Sequence, residues 1–110
     1  DKYFKQHEII WYFGKFGAEK TLRGYIWECK RQKNDVHPTM KPIELIAMAL
    51  NDNKDKKNVY DGFGGSGSTL IACEQLNRNC FMMELDPHYV DVIIARWEKF
   101  TGQKAVLLNG

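Results

Sequence analysis

The chain has 110 residues, 44% of them hydrophobic and 27% charged, with a formal net charge of +2, which suits one soluble globular domain. No apolar run approaches the ~20 residues of a membrane span and no signal peptide begins the chain, so no membrane association and a cytoplasmic location are expected. Its three cysteines, Cys29, Cys73 and Cys80, form no C-x-x-C pair, which argues against a zinc site or a disulfide framework; no metal is expected.

Two β-like runs near 8–13 and 24–29 flank a Gly/Lys loop. Residues 1–33 hold eight Lys/Arg against four Asp/Glu, a balance of +4, while the remainder carries −2. This basic third is interleaved with Tyr3, Phe4, Trp11, Tyr12, Phe13, Phe16, Tyr25 and Trp27, so it suits nucleic acid. Most of these aromatics read better as strand residues, with the lysines on a solvated face. Lys15, Lys20 and Arg23, in the loop, have the better claim on phosphates. Next comes His37-Pro38-Thr39-Met40-Lys41-Pro42, with Pro42 expected at the first position of a helix near 42–51. Thr39 and Lys41 then stand near a helix start, where backbone donors and an ammonium suit a carboxylate. The plainer reading is a helix cap with a solvated lysine.

The polar run 51–58 reads as a surface loop rather than a domain linker. A strand near 58–61, a glycine turn and a helix near 67–77 follow, with Leu70, Ile71, Cys73 and Leu76 on the helix's apolar side. A strand near 80–84 leads to a helix near 87–100, with Asp86 as N-cap, Pro87 as first helical residue and Gly102 as its close. A last strand is expected near 104–108. Cys73 and Cys80 read as small buried residues. Strands alternating with helices imply parallel βαβ units, hence an α/β, Rossmann-like single domain with a mostly parallel sheet and flanking helices.

The densest signal is Val59-Tyr60-Asp61-Gly62-Phe63-Gly64-Gly65-Ser66-Gly67-Ser68-Thr69, with four glycines within six positions. A strand turning sharply into a helix over so bare a backbone leaves room for a ligand to lie against it. Three ligands use such loops. Gly62 to Thr69 fits a phosphate loop except at the lysine, where Ser68 stands, and that lysine is the main electrostatic reason to bind a triphosphate. Gly62, Gly64 and Gly67 spell the dinucleotide pattern G-x-G-x-x-G, with Glu84 at about the distance of its ribose-binding acid. S-adenosylmethionine, a sulfonium cation without a pyrophosphate, suits the carboxylate of Asp61 at the head of the loop. The loop alone does not separate the last two.

Taken together, His-Pro-Thr-Met-Lys-Pro, Asp-Gly-Phe-Gly-Gly-Ser-Gly-Ser-Thr and Met-Glu-Leu-Asp-Pro-His-Tyr, in that order and spacing, resemble the DNA amino-methyltransferases, which act on adenine N6 or cytosine N4. The likeness spans nearly the whole chain. It is to the subclass whose cofactor segment is C-terminal, and phage-associated adenine methyltransferases come closest. The resemblance implies that Asp61, Phe63, Gly64, Gly65, Ser66 and Gly67 hold the methionine end of S-adenosylmethionine. It further implies that Glu84 binds the ribose hydroxyls, that Thr39 and Lys41 reach the carboxylate, and that DNA is the partner, with a homodimer left open. One departure is Gly62, where the family usually has proline.

The family's catalytic loop, (Asp/Asn/Ser)-Pro-Pro-(aromatic), holds the exocyclic amine and stacks on a flipped base. The three prolines here, Pro38, Pro42 and Pro87, are nowhere adjacent, so no catalytic residue is assigned. Asp86-Pro87-His88-Tyr89 imitates the loop, but the helical spacing of Tyr89, Val90, Ile93, Ile94 and Trp97 makes it a helix start. The expectation is the C-terminal, cofactor-binding part of such an enzyme, inactive alone. Two rivals stay open: a nicotinamide-dependent oxidoreductase fragment, and a catalytically dead DNA- or partner-binding remnant.

Overall fold

The computed structural model describes residues 9–11, 27–29 and 41–109, and the architecture is that of these segments. Ile43–Asn51 forms α1, Asn58–Asp61 β1, Ser68–Gln75 α2, Asn79–Met82 β2 and Pro87–Thr101 α3. β1 and β2 pair in parallel, with Asn58 opposite Asn79 and Asp61 opposite Met82. A parallel pair needs a crossover, and α2 supplies it. The described residues are therefore α/β, as the alternation of elements predicts.

Backbone bonds continue beyond the strand ends, which fixes what lies beside what. Met83 N donates to Asp61 O at 2.9 Å, and Gly64 N donates to Met83 O at 2.8 Å. The glycine turn leaving β1 is thus hydrogen-bonded to the segment leaving β2. Both turns open at the C-terminal edge of the strands, where ligands of open α/β sheets bind.

Side-chain alternation gives the two strands distinct faces. Val59 and Cys80 pack with Ile43, Ile46 and Leu76 against a buried centre of Leu50, Ala72 and Cys73. Ala72 and Cys73, both at 1% exposure or less, are small enough to let α2 approach closely. The opposite face is open: Tyr60 and Phe81, paired across the strands, are 69% and 59% exposed. The Cys80 thiol is pushed up to about 12, by burial first and the adjacent Cys73 next.

One arginine fastens the turn after α1. Arg78, just before β2, donates to Leu50 O, Asn53 O and Lys56 O at 3.0, 3.2 and 2.7 Å. It adds a charged donor at the end of α1 and its following turn, where Leu50 O and Asn53 O also accept from Asn53 N and Lys56 N. α3 carries its predicted signals. Asp86 Oδ1 accepts from His88 N at 2.9 Å, Pro87 is the first helical residue, and Gly102 closes the helix at φ +73°.

Several expectations need correction. Residues 104–108 form no strand. Val106, Leu107 and Leu108 are 77–87% exposed, and an apolar run needs a paired neighbour to become a strand. Pro42 is the N-cap of α1 rather than its first helical residue; its ψ of 134° is extended. α2 starts one residue later than expected because Gly67 is its left-handed cap, and β2 ends at Met82 rather than at Glu84. Residues 9–11 and 27–29 are outside any strand; the rest of the runs near 8–13 and 24–29 lies outside the described residues.

Candidate cofactor site

The glycine turn is shaped by contacts that admit no side chain. A Cβ at Gly64 would lie 2.8 Å from Met82 Cγ and Sδ and 3.1 Å from Ile93 Cδ1. Gly67 combines φ +87° with Ile93 Cγ1 and Cγ2 at 3.2 and 3.3 Å from such a Cβ. The loop is pressed against β2 and α3, and Gly67 N closes the turn on Gly64 O at 2.9 Å. Close packing of this kind is the reason for at least these two glycines.

Two carboxylates then pin the loop from different sides. Asp61, the last residue of β1, accepts from Phe63 N at 3.0 Å through Oδ1 and from the Thr69 hydroxyl at 2.7 Å through Oδ2. It therefore ties the start of the turn to the first turn of α2. Glu84, two residues past β2, accepts from Gly65 N through Oε1 and from Asp86 N through Oε2, both at 2.8 Å. A sequence separation of nineteen residues between Gly65 and Glu84 thus collapses into one direct bond.

Between these groups opens a cleft of about 360 Å³, lined by Lys41, Ile46, Asp61, Phe63, Gly64, Gly65, Ser66, Ser68, Thr69 and Glu84. Clefts of this size hold small-molecule ligands. Of the residues expected to touch a cofactor, Asp61, Phe63, Gly64, Gly65, Ser66, Glu84 and Lys41 all line it. Gly67 is buried behind the turn instead, against Ile93. Thr39, and the DNA-contact candidates Lys15, Lys20 and Arg23, lie outside the described residues. Phe63 is 93% exposed, an aromatic edge at the mouth of the cleft.

Lys41 enters from a third direction. It immediately precedes Pro42, the cap of α1, and α1 packs on α2. Lys41 and the glycine loop are therefore brought to one cleft, although they are some twenty residues apart in sequence. An ammonium beside a helix start favours a carboxylate or another anion there.

Sequence reasoning missed Arg96. Its Nη1 donates to Ser66 O at 3.1 Å, Ser68 Oγ at 3.3 Å and Ser66 Oγ at 3.4 Å. Both serines are buried, and burial holds the guanidinium below its ordinary range. A signal was available: Arg96 stands seven residues after Tyr89 and three after Ile93, on the inward side of a helix. Thr69 was likewise passed over as a partner for Asp61. Among the described residues no cluster of His, Cys, Asp or Glu could hold a metal, and no helix is long and apolar enough to cross a membrane.

Comparison with known proteins bears on this geometry. Residues 1–96 match the family described as DNA methylase, of the N6/N4 type. The chain is 30% identical over 98 residues to the type II methyltransferase M2.MboI of Moraxella bovis, covering 88% of this chain and 32% of that protein. It is 29% identical over 117 residues to the type II methyltransferase M.Cfr9I of Citrobacter freundii, covering 87% of this chain and 38% of that one. The chain thus spans about a third of the length of these curated relatives. Among solved structures it resembles the M1.HpyAVI–SAM complex, with a TM-score of 0.56 and 32% identity over 76% of this chain and 42% of that one. With a glycine turn and an acid meeting at the carboxyl edge of a parallel strand pair, and a family match over most of its length, the chain belongs to the N6/N4 DNA methylases.

Proposed function

We propose that this chain is the S-adenosylmethionine-binding part of a DNA methyltransferase acting on an exocyclic amine, with adenine N6 as the target. The observation that carries it is the convergence of Asp61, Glu84 and Lys41 on one cleft floored by the glycine turn. The donor set fits this ligand. A ribose diol wants an acceptor carboxylate, a methionine ammonium or sulfonium wants a negative neighbour, and a carboxylate wants a cation.

S-adenosylmethionine supplies a methyl group activated on a sulfonium, ready for direct transfer. Glu84 presents its carboxylate to the ribose hydroxyls; each carboxylate oxygen accepts more than one bond, so the hold of Gly65 N and Asp86 N is compatible with that role. Asp61, fixed by Phe63 N and Thr69, lends negative charge where a cation is to sit without needing to reorient. Lys41 and Thr39 take the carboxylate. Phe63 offers an aromatic face at the mouth. These residues bind and orient; the amine and its flipped base would be held by a Pro-Pro loop, which the 110 residues do not contain. The chain by itself is therefore read as inactive, with DNA reached in part through Lys15, Lys20 and Arg23.

The test joins this chain to a segment bearing the (Asp/Asn/Ser)-Pro-Pro-(aromatic) loop and follows labelled methyl into DNA. N6-methyladenine on hydrolysis of the product is the expected outcome. N4-methylcytosine would move the target to cytosine. No transfer by a folded, cofactor-binding protein would remove the enzyme assignment.

A further inference from the structure

Within this cofactor-binding reading, on which the inference rests, the glycine loop faces the ligand on one side and the protein on the other. Its outer side is tied by Glu84 to Gly65 N. Its inner side, at Ser66, is tied by a side chain from α3. What meets it there is Arg96, reaching from α3 across thirty residues of sequence to Ser66 O and both serine hydroxyls.

We propose that Arg96 is a positioning residue for cofactor binding: from beneath the loop it sets the Ser66–Ser68 segment and places a fixed positive charge behind the methionine end of the site. Three features converge on this. Ser66 and Ser68 are 4% and 5% exposed, so removing the guanidinium leaves their hydroxyls with little water to replace it. Ser66 and Ser68 also line the cleft, so the residues that Arg96 holds belong to the wall the ligand touches. The cation stands beside the first residue of α2, the end at which a helix dipole favours anions. Helix electrostatics alone would not put an arginine there, whereas its bonds to the loop favour that position.

A charge behind the site treats two ligands differently. S-adenosylmethionine carries one more positive charge than S-adenosylhomocysteine, so Arg96 opposes the substrate relative to the product. A residue that only maintained the fold would weaken both ligands alike.

The experiment measures binding of both ligands by calorimetry to the wild-type chain, Arg96→Lys and Arg96→Met, with folding checked by urea denaturation. Wild-type binding of S-adenosylhomocysteine tests the cofactor reading itself; its absence would end that reading and this inference together. Given wild-type binding, Arg96→Met is expected to lose about tenfold or more for S-adenosylhomocysteine. The loss for S-adenosylmethionine should be smaller by about threefold, the size of one partly screened charge at that range. Arg96→Lys keeps the charge and loses the forked donors, so it should weaken both ligands with their ratio unchanged. Wild-type affinity in both variants, or a parallel loss in Arg96→Met with the ratio unmoved, would overturn the proposal.

Discussion

Replacing Gly67 by alanine probes how tightly the loop is seated. Two glycines on this chain, Gly67 and Gly102, cap helices at positive φ, +87° and +73°. They differ in their surroundings. Nothing lies within 4 Å of a Cβ at Gly102, whereas one at Gly67 meets Ile93 Cγ1 and Cγ2 at 3.2 and 3.3 Å. Gly102→Ala should therefore cost only the left-handed conformation, about 1–2 kcal/mol. Gly67→Ala adds crowding against a β-branched side chain that cannot swing both γ carbons away, worth about 1–3 kcal/mol more. The combined loss, about 2–5 kcal/mol, is a large share of the ~5–15 kcal/mol that holds an ordinary domain. Urea denaturation followed by tryptophan fluorescence measures both variants, provided their m-values agree. Truncating Ile93 removes the obstacle, so Gly67→Ala with Ile93→Ala should cost less than the separate losses added, by about 1 kcal/mol or more. Equal losses in Gly67→Ala and Gly102→Ala, together with an additive double mutant, would refute the contact as the cause.

Arg78→Met should destabilise the chain by about 2 kcal/mol or more, because three carbonyls around the end of α1 lose a charged donor at once; hydrogen exchange should quicken there first. Asp86→Ala removes the cap on His88 N and should cost about 1 kcal/mol, with Asp86→Asn recovering most of it. Cys80, with its thiol pushed up to about 12 against an ordinary value near ~8.5, should alkylate at pH 8 about a thousandfold more slowly in the native than in the unfolded chain. The linkage has a definite sign. The raised thiol contributes stability that is full below the unfolded value and is lost as pH climbs towards 12, so the wild-type chain should lose stability relative to Cys80→Ala across that window.

The local elements were legible because their signals are local. Asp86, Pro87 and Gly102 marked the ends of α3 by capping chemistry alone, and the lead-in to the glycine turn gave β1 to the residue. The expected strand near 104–108 failed for a different reason. An apolar run says that a segment is able to pair, and pairing needs a neighbour that the run itself does not supply. The site divides in the same way. Glycine spacing, Asp61 and Glu84 could be read along the chain, since each sits next to the element that carries it. Arg96 and Thr69 could not be assigned roles so easily, because their partners lie thirty and eight residues away and are chosen by packing. An arginine on the inward side of α3 was nevertheless a visible anomaly. The open face bearing Tyr60 and Phe81 is likewise a property of the folded strands, since parallel sheets are usually covered on both sides.

Recognition of S-adenosylmethionine by the cleft between Asp61, Glu84 and Lys41 is the central claim. Thermal unfolding of the chain titrated with S-adenosylhomocysteine, with NADH and ATP as controls, tests it most directly. At a hundred times its dissociation constant a single-site ligand adds about 2.7 kcal/mol of stability, enough for a shift of several degrees. The account predicts a rise with S-adenosylhomocysteine alone, abolished or strongly reduced by Glu84→Ala in a folded protein. A rise with NADH instead, or none with S-adenosylhomocysteine, would contradict it.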